Sequence, residues 1–594
     1  MKRLLPLILS LSLLCGCAQS GPGNSPPADQ STIITPQTPS APYTSRFDSE
    51  TLVHLSNDGI TSEGEHSVLL SHDIVYYEDR ETYESGLPYG EGESNERHSA
   101  AEAEAHTVVT ITEPGAYRIT GSLSAGQILV DLGEDAYSDP NAVVELILDN
   151  VDITCTVAPA ILFLNVYECD GAWSADTASP TVDTTDAGAV LLLADGSQNR
   201  VTGSHVAKIY KDKEGEKKLW KQDGALYSYM SMNICGSGTL DLTADNEGIG
   251  SELHLTINGG NINIRSQDDG INTNEDGVSV TTFNAGCVHI IAGLGAEGDG
   301  VDSNGYLVIN GGTVVSSANP GADAGLDSDL GSYVNGGIVI ALGSTMDWAE
   351  SESEQVTMNL QFAEYKEKGS SIIVTKEDGS VVFAYDSSKD TISGENTREF
   401  MGAVISCPNF AVGESYNVYI GSYSENSDSI EGSHTNGIYD ISTITAVHAV
   451  QQAYSSTEVR KHGGKPPKAD GNRPAMPNGT APQAPDDIPQ AQQPYFTQFP
   501  DNMQPPPFPE GDSFDPEIMK PVPEGFEKPT DENGNPIGFG GEGEFDFNGE
   551  KAPHTEGEKP QINTPEHNDV LKLRTEFYMQ DKVNSFSGVA DYIL

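Results

Sequence analysis

Basic residues are scarce in this chain: 31 Lys and Arg stand against 89 Asp and Glu across 594 residues, a formal charge of −58. A surface this acidic repels phosphate backbones, which excludes nucleic acid as a partner. Only 36% of the residues are hydrophobic, and the sole long apolar run is at the N-terminus, so a multi-span membrane protein is excluded too. Cysteine is also sparse. Of seven in all, five follow the leader (Cys155, Cys169, Cys235, Cys287 and Cys407), and no two are spaced C-x-x-C, which argues against a zinc or redox motif. Buried thiols are the expected state, with a Cys155–Cys169 bridge as the open alternative. Nucleotide-binding loops, dinucleotide fingerprints and nucleophile elbows are absent as well.

The leader sets the compartment. Lys2 and Arg3 precede an apolar run from Leu4 to Leu14, too short to span a bilayer. It ends in Leu14-Cys15-Gly16-Cys17, which resembles a bacterial lipobox with Cys17 as the lipidated residue. An ordinary signal peptide cleaved nearby is the plainer alternative. The expected organisation is a lipoprotein signal peptide over 1–16 and a flexible tether over 17–50. The membrane is then reached only through the lipid, and the protein sits extracytoplasmically at the cell surface.

Glycine is abundant, and its placement is periodic. Ile257-Asn258-Gly259-Gly260, Phe283-Asn284-Ala285-Gly286, Ile309-Asn310-Gly311-Gly312 and Val334-Asn335-Gly336-Gly337 recur with Asn-to-Asn steps of 26, 26 and 25 residues. A second marker precedes each: Glu247-Gly248-Ile249, Asp269-Gly270-Ile271, Asp299-Gly300-Val301 and Ala324-Gly325-Leu326. Between the markers the apolar residues alternate with period two, a strand signal. A repeat of about 25 residues holding two or three strands predicts one coil of a parallel β-helix, with the Asn side chains stacked in a ladder. Asn in that turn can take the left-handed conformation and bond backbone groups of the next coil.

The all-β body is expected over 51–345, with the acidic excursions near Glu78–Ala105 and Lys208–Gln222 as loops. An antiparallel β cap is expected over 346–455, covering the open end of the stack. Residues 461–570 carry 21 of the 35 prolines and no periodicity, so 456–570 reads as a disordered Pro/Gly-rich insertion. The alternating residues of 571–594 then return as a final strand docking on the β body.

Chemistry concentrates on one column. Asp269 and Asp299 precede the marker glycines, while Asp302, Asn304, Asp327 and Asp329 alternate with the inward Val301 and Leu326. Stacked carboxylates repel unless cations lie between them, and oxygen donors without His or Cys select Ca²⁺. These six residues are the candidate metal ligands; a solvated acidic face is the alternative. From Ala225 to Ser344 there are 14 Asp and Glu, one Arg (Arg265) and no Lys. Uronate elimination needs a strong base, and only Arg265 could serve there, so binding is favoured over catalysis.

The repeat Asp-Gly-Ile/Val-x-Ser/Thr-Asn, followed by a strand ending Ile-Asn-Gly-Gly-x-Val, closely resembles the carbohydrate-binding domain family of clostridial surface proteins. Gly115-Ala116-Tyr117-Arg118-Ile119-Thr120-Gly121-Ser122-Leu123 and Leu148-Asp149-Asn150-Val151-Asp152-Ile153 extend the resemblance, which spans about 108–345. It implies a right-handed, pectate-lyase-like parallel β-helix with bound calcium that takes cellulose or pectin-type polysaccharide. The chain departs from the pattern at Ala285, which leaves one glycine where the other turns have two, and at Ala324, where Asp is lost. The leading expectation is a monomeric, non-catalytic polysaccharide binder. A calcium-dependent lyase using Arg265 and a purely structural adhesin or spacer stand as alternatives. No ligand-contacting residue is assigned.

Overall fold

The computed structural model describes residues 43–76, 89–91, 98–171, 174–210, 218–344, 347–387, 398–425, 434–435, 438–439, 444–454, 456–458 and 574–592. The leader with Cys17, most of the tether and nearly all of the Pro-rich stretch therefore lie outside the described residues. What is described is almost entirely β. Helix is confined to the single turn Ala100–Glu104 and a 3-10 turn at Glu134–Ser138.

Three parallel ladders organise the body. The first runs through Glu50–Leu55, Gly115–Leu123, Val144–Thr154, Ala189–Leu193, Met232–Gly236, Leu255–Ile257, Val280–Phe283, Tyr306–Ile309 and Gly331–Val334. The second takes Gln198–Gly203, Thr239–Ala244, Asn261–Ser266, Cys287–Ile291, Thr313–Ser317 and Ile338–Gly343. The third takes Thr107–Ile111, Gly126–Asp131, Ile161–Asn165, Gly224–Ser228, Glu247–Ser251, Ile271–Thr273 and Val301–Ser303. From Met232 onward the chain visits the ladders in turn and comes back one strand further along, so each circuit is one coil.

Register explains the core. Along the second ladder Leu240, Ile262, Val288, Val314 and Val339 lie side by side, and along the third so do Leu226, Ile249, Ile271 and Val301. All are buried, in one aliphatic cluster that extends from Val53 to Val404 and Val583. Burial of whole Ile, Leu and Val side chains contributes about 1.5–3 kcal/mol each. The Asn ladder forms as the repeat implies: the Asn284 Nδ2 donates to Asn258 Oδ1, Asn310 to Asn284, and Asn335 to Asn310, each at 2.9 Å.

The left-handed residue of that turn is not the Asn, however. Gly260, Gly286, Gly312 and Gly337 hold φ of +90°, +88°, +79° and +85°, and Asn150 is the one non-glycine with positive φ among the described residues. Glycine carries no Cβ penalty there, so it takes the corner, and the ladder Asn residues keep negative φ. Ala285 occupies the other glycine position, where φ is not positive, and the repeat survives the substitution.

The two excursions expected as loops contain paired strands among their described residues. Val206–Tyr210 pairs antiparallel with Lys218–Gln222 on one side and Tyr89–Glu91 on the other, making a separate three-stranded sheet. The described strands past residue 347 pair mostly antiparallel. Phe400–Ser406 pairs with Ile338–Gly343, closing the second ladder, and with Thr357–Lys366. The last strand, Val583–Asp591, runs parallel to Thr357–Lys366 and antiparallel to Ser456–Glu458, so the paired backbone extends beyond residue 455. Phe577 and Phe586 meet Tyr454 and each other tilted or edge-on in the second core, which anchors the last described strands in the fold.

The core and the ladder should separate on mutation. Ile264→Ala, at a fully buried position, should cost about 2–5 kcal/mol in denaturant unfolding. Asn310→Ala removes two solvent-facing amide bonds and should cost about 1 kcal/mol. Equal losses would mean that the amide stack, not the aliphatic column, holds the coils.

Candidate functional site

The Asp-Gly markers begin the third ladder, and there the carboxylates are first used as backbone staples. The Asp269 Oδ1 accepts the Asp299 N–H at 2.7 Å, and the Asp299 Oδ1 accepts the Ala324 N–H at 2.5 Å. Each coil thus caps the turn of the next. Ala324 has no carboxylate to continue the series, and the Ser344 N–H is instead taken by the Asp323 carbonyl at 2.9 Å.

Around these staples an acidic cluster forms, half-buried at Asp269, Asp299, Asp302 and Asp327 and exposed at Asp329. The Asn272 Nδ2 donates to Glu247 Oε1 at 2.9 Å and to Asp269 Oδ2 at 3.2 Å, and Asn272 lies beside Asp302 in register. Burial, then repulsion from neighbouring acids, pushes the Glu247 carboxyl up to about 8. Asp302 is pushed to about 7 by burial together with Asp327 and Asp329. Asp299 also reaches about 7, raised by burial and by Asp327, Asp302 and Asp323 against the lowering bond from Ala324. Asp269 is raised by burial, Glu247 and Asp302. Five of the six predicted ligands therefore share one field. Asn304 does not join them: its amide donates to Asn274 O at 2.8 Å and Asp276 Oδ1 at 3.1 Å.

Sequence reasoning missed Asp223, Glu247, Asp268 and Lys221. Glu247 was detectable, since it fills the Asp position of the first marker. Lys221 was not, because it belongs to the excursion read as a loop. The strand Lys218–Gln222 delivers its ammonium to Asp223 Oδ2 at 2.9 Å, and its charge lowers the titration of Glu247, Asp268 and Asp302. Burial pulls Lys221 down, but Glu247, Asp223 and Glu252 outweigh it and hold the ammonium above the ordinary lysine range. Arg265 lies on the second ladder, between Thr243 and Ile291. His254 is a buried network residue, its Nδ1 accepting the Val280 N–H and its Nε2 meeting Asp170. None of the five described cysteines is in a disulfide.

One lysine does not satisfy this cluster. The Asp223 Oδ1, Glu247 Oε2 and Asn272 Oδ1 are buried without a hydrogen-bond partner, on residues only 8%, 4% and 7% exposed. Unpartnered oxygens in a low-dielectric site are costly. As placed, no three His, Cys, Asp or Glu side chains among the described residues are arranged to hold a metal ion. The orphan set instead mixes carboxylate with amide oxygen, the donor mix that suits calcium with water completing its shell. The residues present fit that ion.

Residues 105–171 and 168–409, together just over half of the sequence, match the carbohydrate-binding domain-containing protein family, and the chain belongs to it. A carbohydrate-binding domain-containing protein of Acetivibrio thermocellus is 30% identical over 159 residues, which is 27% of this chain and 45% of the relative. The match thus spans less than half of that relative's length. A solved polysaccharide lyase-like protein from C. thermocellum, determined as a gadolinium derivative, is 22% identical with a TM-score of 0.30, covering 49% of this chain and 93% of its own.

The raised carboxyls set a pH dependence with a definite sign. A carboxyl raised in the folded state stabilises fully below its unfolded value and loses that contribution as pH rises through its folded one. The chelated protein should therefore melt progressively lower from about pH 4 to pH 8, the window fixed by Asp299, Asp302 and Glu247. Calcium should flatten that slope and raise the melting temperature at pH 8. A flat chelated profile in scanning calorimetry would remove the electrostatic cost argued above.

Proposed function

We propose that this chain is a non-catalytic polysaccharide-binding lipoprotein, a right-handed parallel β-helix whose acidic third-ladder face takes structural calcium. Membership of the carbohydrate-binding domain-containing family carries the reading. The lipobox-like Leu14-Cys15-Gly16-Cys17 supports an anchor on Cys17, at the outer surface of a bacterial membrane. Calcium, when bound, would supply the positive charge that offsets the cluster. Asp223, Glu247 and Asn272, whose oxygens lack a partner, are the residues that would hold it.

Binding is favoured over elimination by the state of Lys221, the lysine that the described residues place at the cluster. A base must be unprotonated to take a proton, and the surrounding carboxylates keep Lys221 charged. On this reading Lys221 is a counter-ion for Asp223 and Glu247.

The test is retention of the full chain on insoluble polysaccharides, run beside absorbance at the unsaturated-uronate band. Retention without any rise in absorbance is expected, and Lys221→Gln and Arg265→Ala should leave retention within about twofold. Release of unsaturated product that disappears with either substitution would make the protein a lyase. Failure to bind any polysaccharide would leave only the spacer reading.

A further inference from the structure

The acidic cluster is not the only built surface on the coils. A groove of about 470 Å³ follows the outer face of the first ladder, from Tyr43 at one end to Glu352 and Glu354 at the other. Its floor is repetitive. Thr256, Thr282, Val308 and Tyr333 lie in register across four successive strands, and the amide ladder of Asn258 to Asn335 runs beside them. Residues 180–185 form one wall, fixed where the Thr184 Oγ1 donates to Thr256 Oγ1 at 2.7 Å and the Asn233 Nδ2 donates to the Thr184 carbonyl. Tyr43 is held in place at the groove's end because its hydroxyl donates to the buried Glu145, which also accepts from the Arg46 N–H.

We infer that this groove is the glycan site, and that its ligand is a linear, uncharged polysaccharide. The inference rests on the polysaccharide-binding reading above and names the surface and ligand class that it leaves open. Hydrogen-bond arithmetic comes first. An Asn amide offers two donors and two acceptor lone pairs, and each inner rung uses one of each on its neighbours. Asn284 and Asn310, both exposed, keep one donor and one acceptor facing outward, repeated at the strand spacing of about 4.8 Å. A row of paired donors and acceptors suits a chain of vicinal hydroxyls, and its repetition suits a polymer better than a compact ligand.

The far end adds an aromatic surface: the half-buried Tyr333 ring lies 6.1 Å from Tyr306, with its flat apolar face available to the C–H face of a sugar. Charge then selects among glycans. Among the described residues no Lys or Arg lines the groove, whereas Asp183, Glu352 and Glu354 do, so a uronate chain would be repelled and a neutral one would not. The groove and the acidic cluster lie on different ladders, so binding here needs no calcium.

The experiment uses the full chain and isothermal titration with cellohexaose and, separately, an oligogalacturonate, each with and without chelator. Wild type should bind the neutral oligosaccharide and not the uronate, at a temperature where the chelated protein stays folded. Tyr333→Ala removes the platform, and Thr282→Tyr fills the groove from a half-exposed floor position. Each should weaken cellohexaose binding about tenfold or more while the melting temperature holds. Neutral-sugar binding that survives both substitutions would overturn the groove and leave the polysaccharide-binding reading standing. Binding of the uronate alone, abolished by chelator, would also overturn it. Binding of neither these oligosaccharides nor any insoluble polysaccharide would sink both.

Discussion

Stacking in register forces every side chain to live beside its own equivalent, about 4.8 Å away in the next coil. The outcome at each position depends on whether the residue type is complementary to itself. Aliphatic residues are, and they fill the interior. Amides are too, since each carries both a donor and an acceptor, which is why the Asn of every turn can pair with the next. Carboxylates are not. A column of Asp accepts without donating, and its charges repel, so the same repetition that builds the core and the amide ladder creates an electrostatic conflict on the third ladder.

Several devices reduce that conflict. Asp269 and Asp299 turn one oxygen to a backbone N–H of the following coil, converting part of the column into staples. Asn272 interrupts it with a donor. Lys221 arrives from outside the repeat, on a strand that the coils do not supply. The oxygens left over on Asp223, Glu247 and Asn272 are where these devices end.

Periodicity decided how much of the molecule was legible in its sequence. The 25-residue step between Asn-Gly turns is a one-dimensional signal, so the stacked strands, the amide ladder and the inward Ile271, Val301 and Leu326 could all be read from spacing. The corner conformation could not: Asn and Gly both tolerate positive φ, and only the backbone shows that Gly260 and its equivalents take it. Lys221 was hidden for a different reason. It sits in a non-repeating insertion whose pairing with Tyr89–Glu91 spans more than a hundred residues, and nothing local to Lys208–Gln222 announces a sheet or its destination.

The groove on the first ladder was hidden by the clarity of the ladder itself. Once Asn258, Asn284, Asn310 and Asn335 are assigned to holding coils together, their role looks complete. A side chain that satisfies itself along one axis still has hydrogen-bonding capacity across it, and exposed rungs present that capacity to solvent. The structural and recognition roles are thus compatible because they use different halves of one amide. The carboxylate column allows no such division, since its remaining oxygens all carry the same sign. That difference assigns the two faces of the coil: the amide face can meet a neutral polymer directly, while the acidic face must first be neutralised and is better suited to holding the stack.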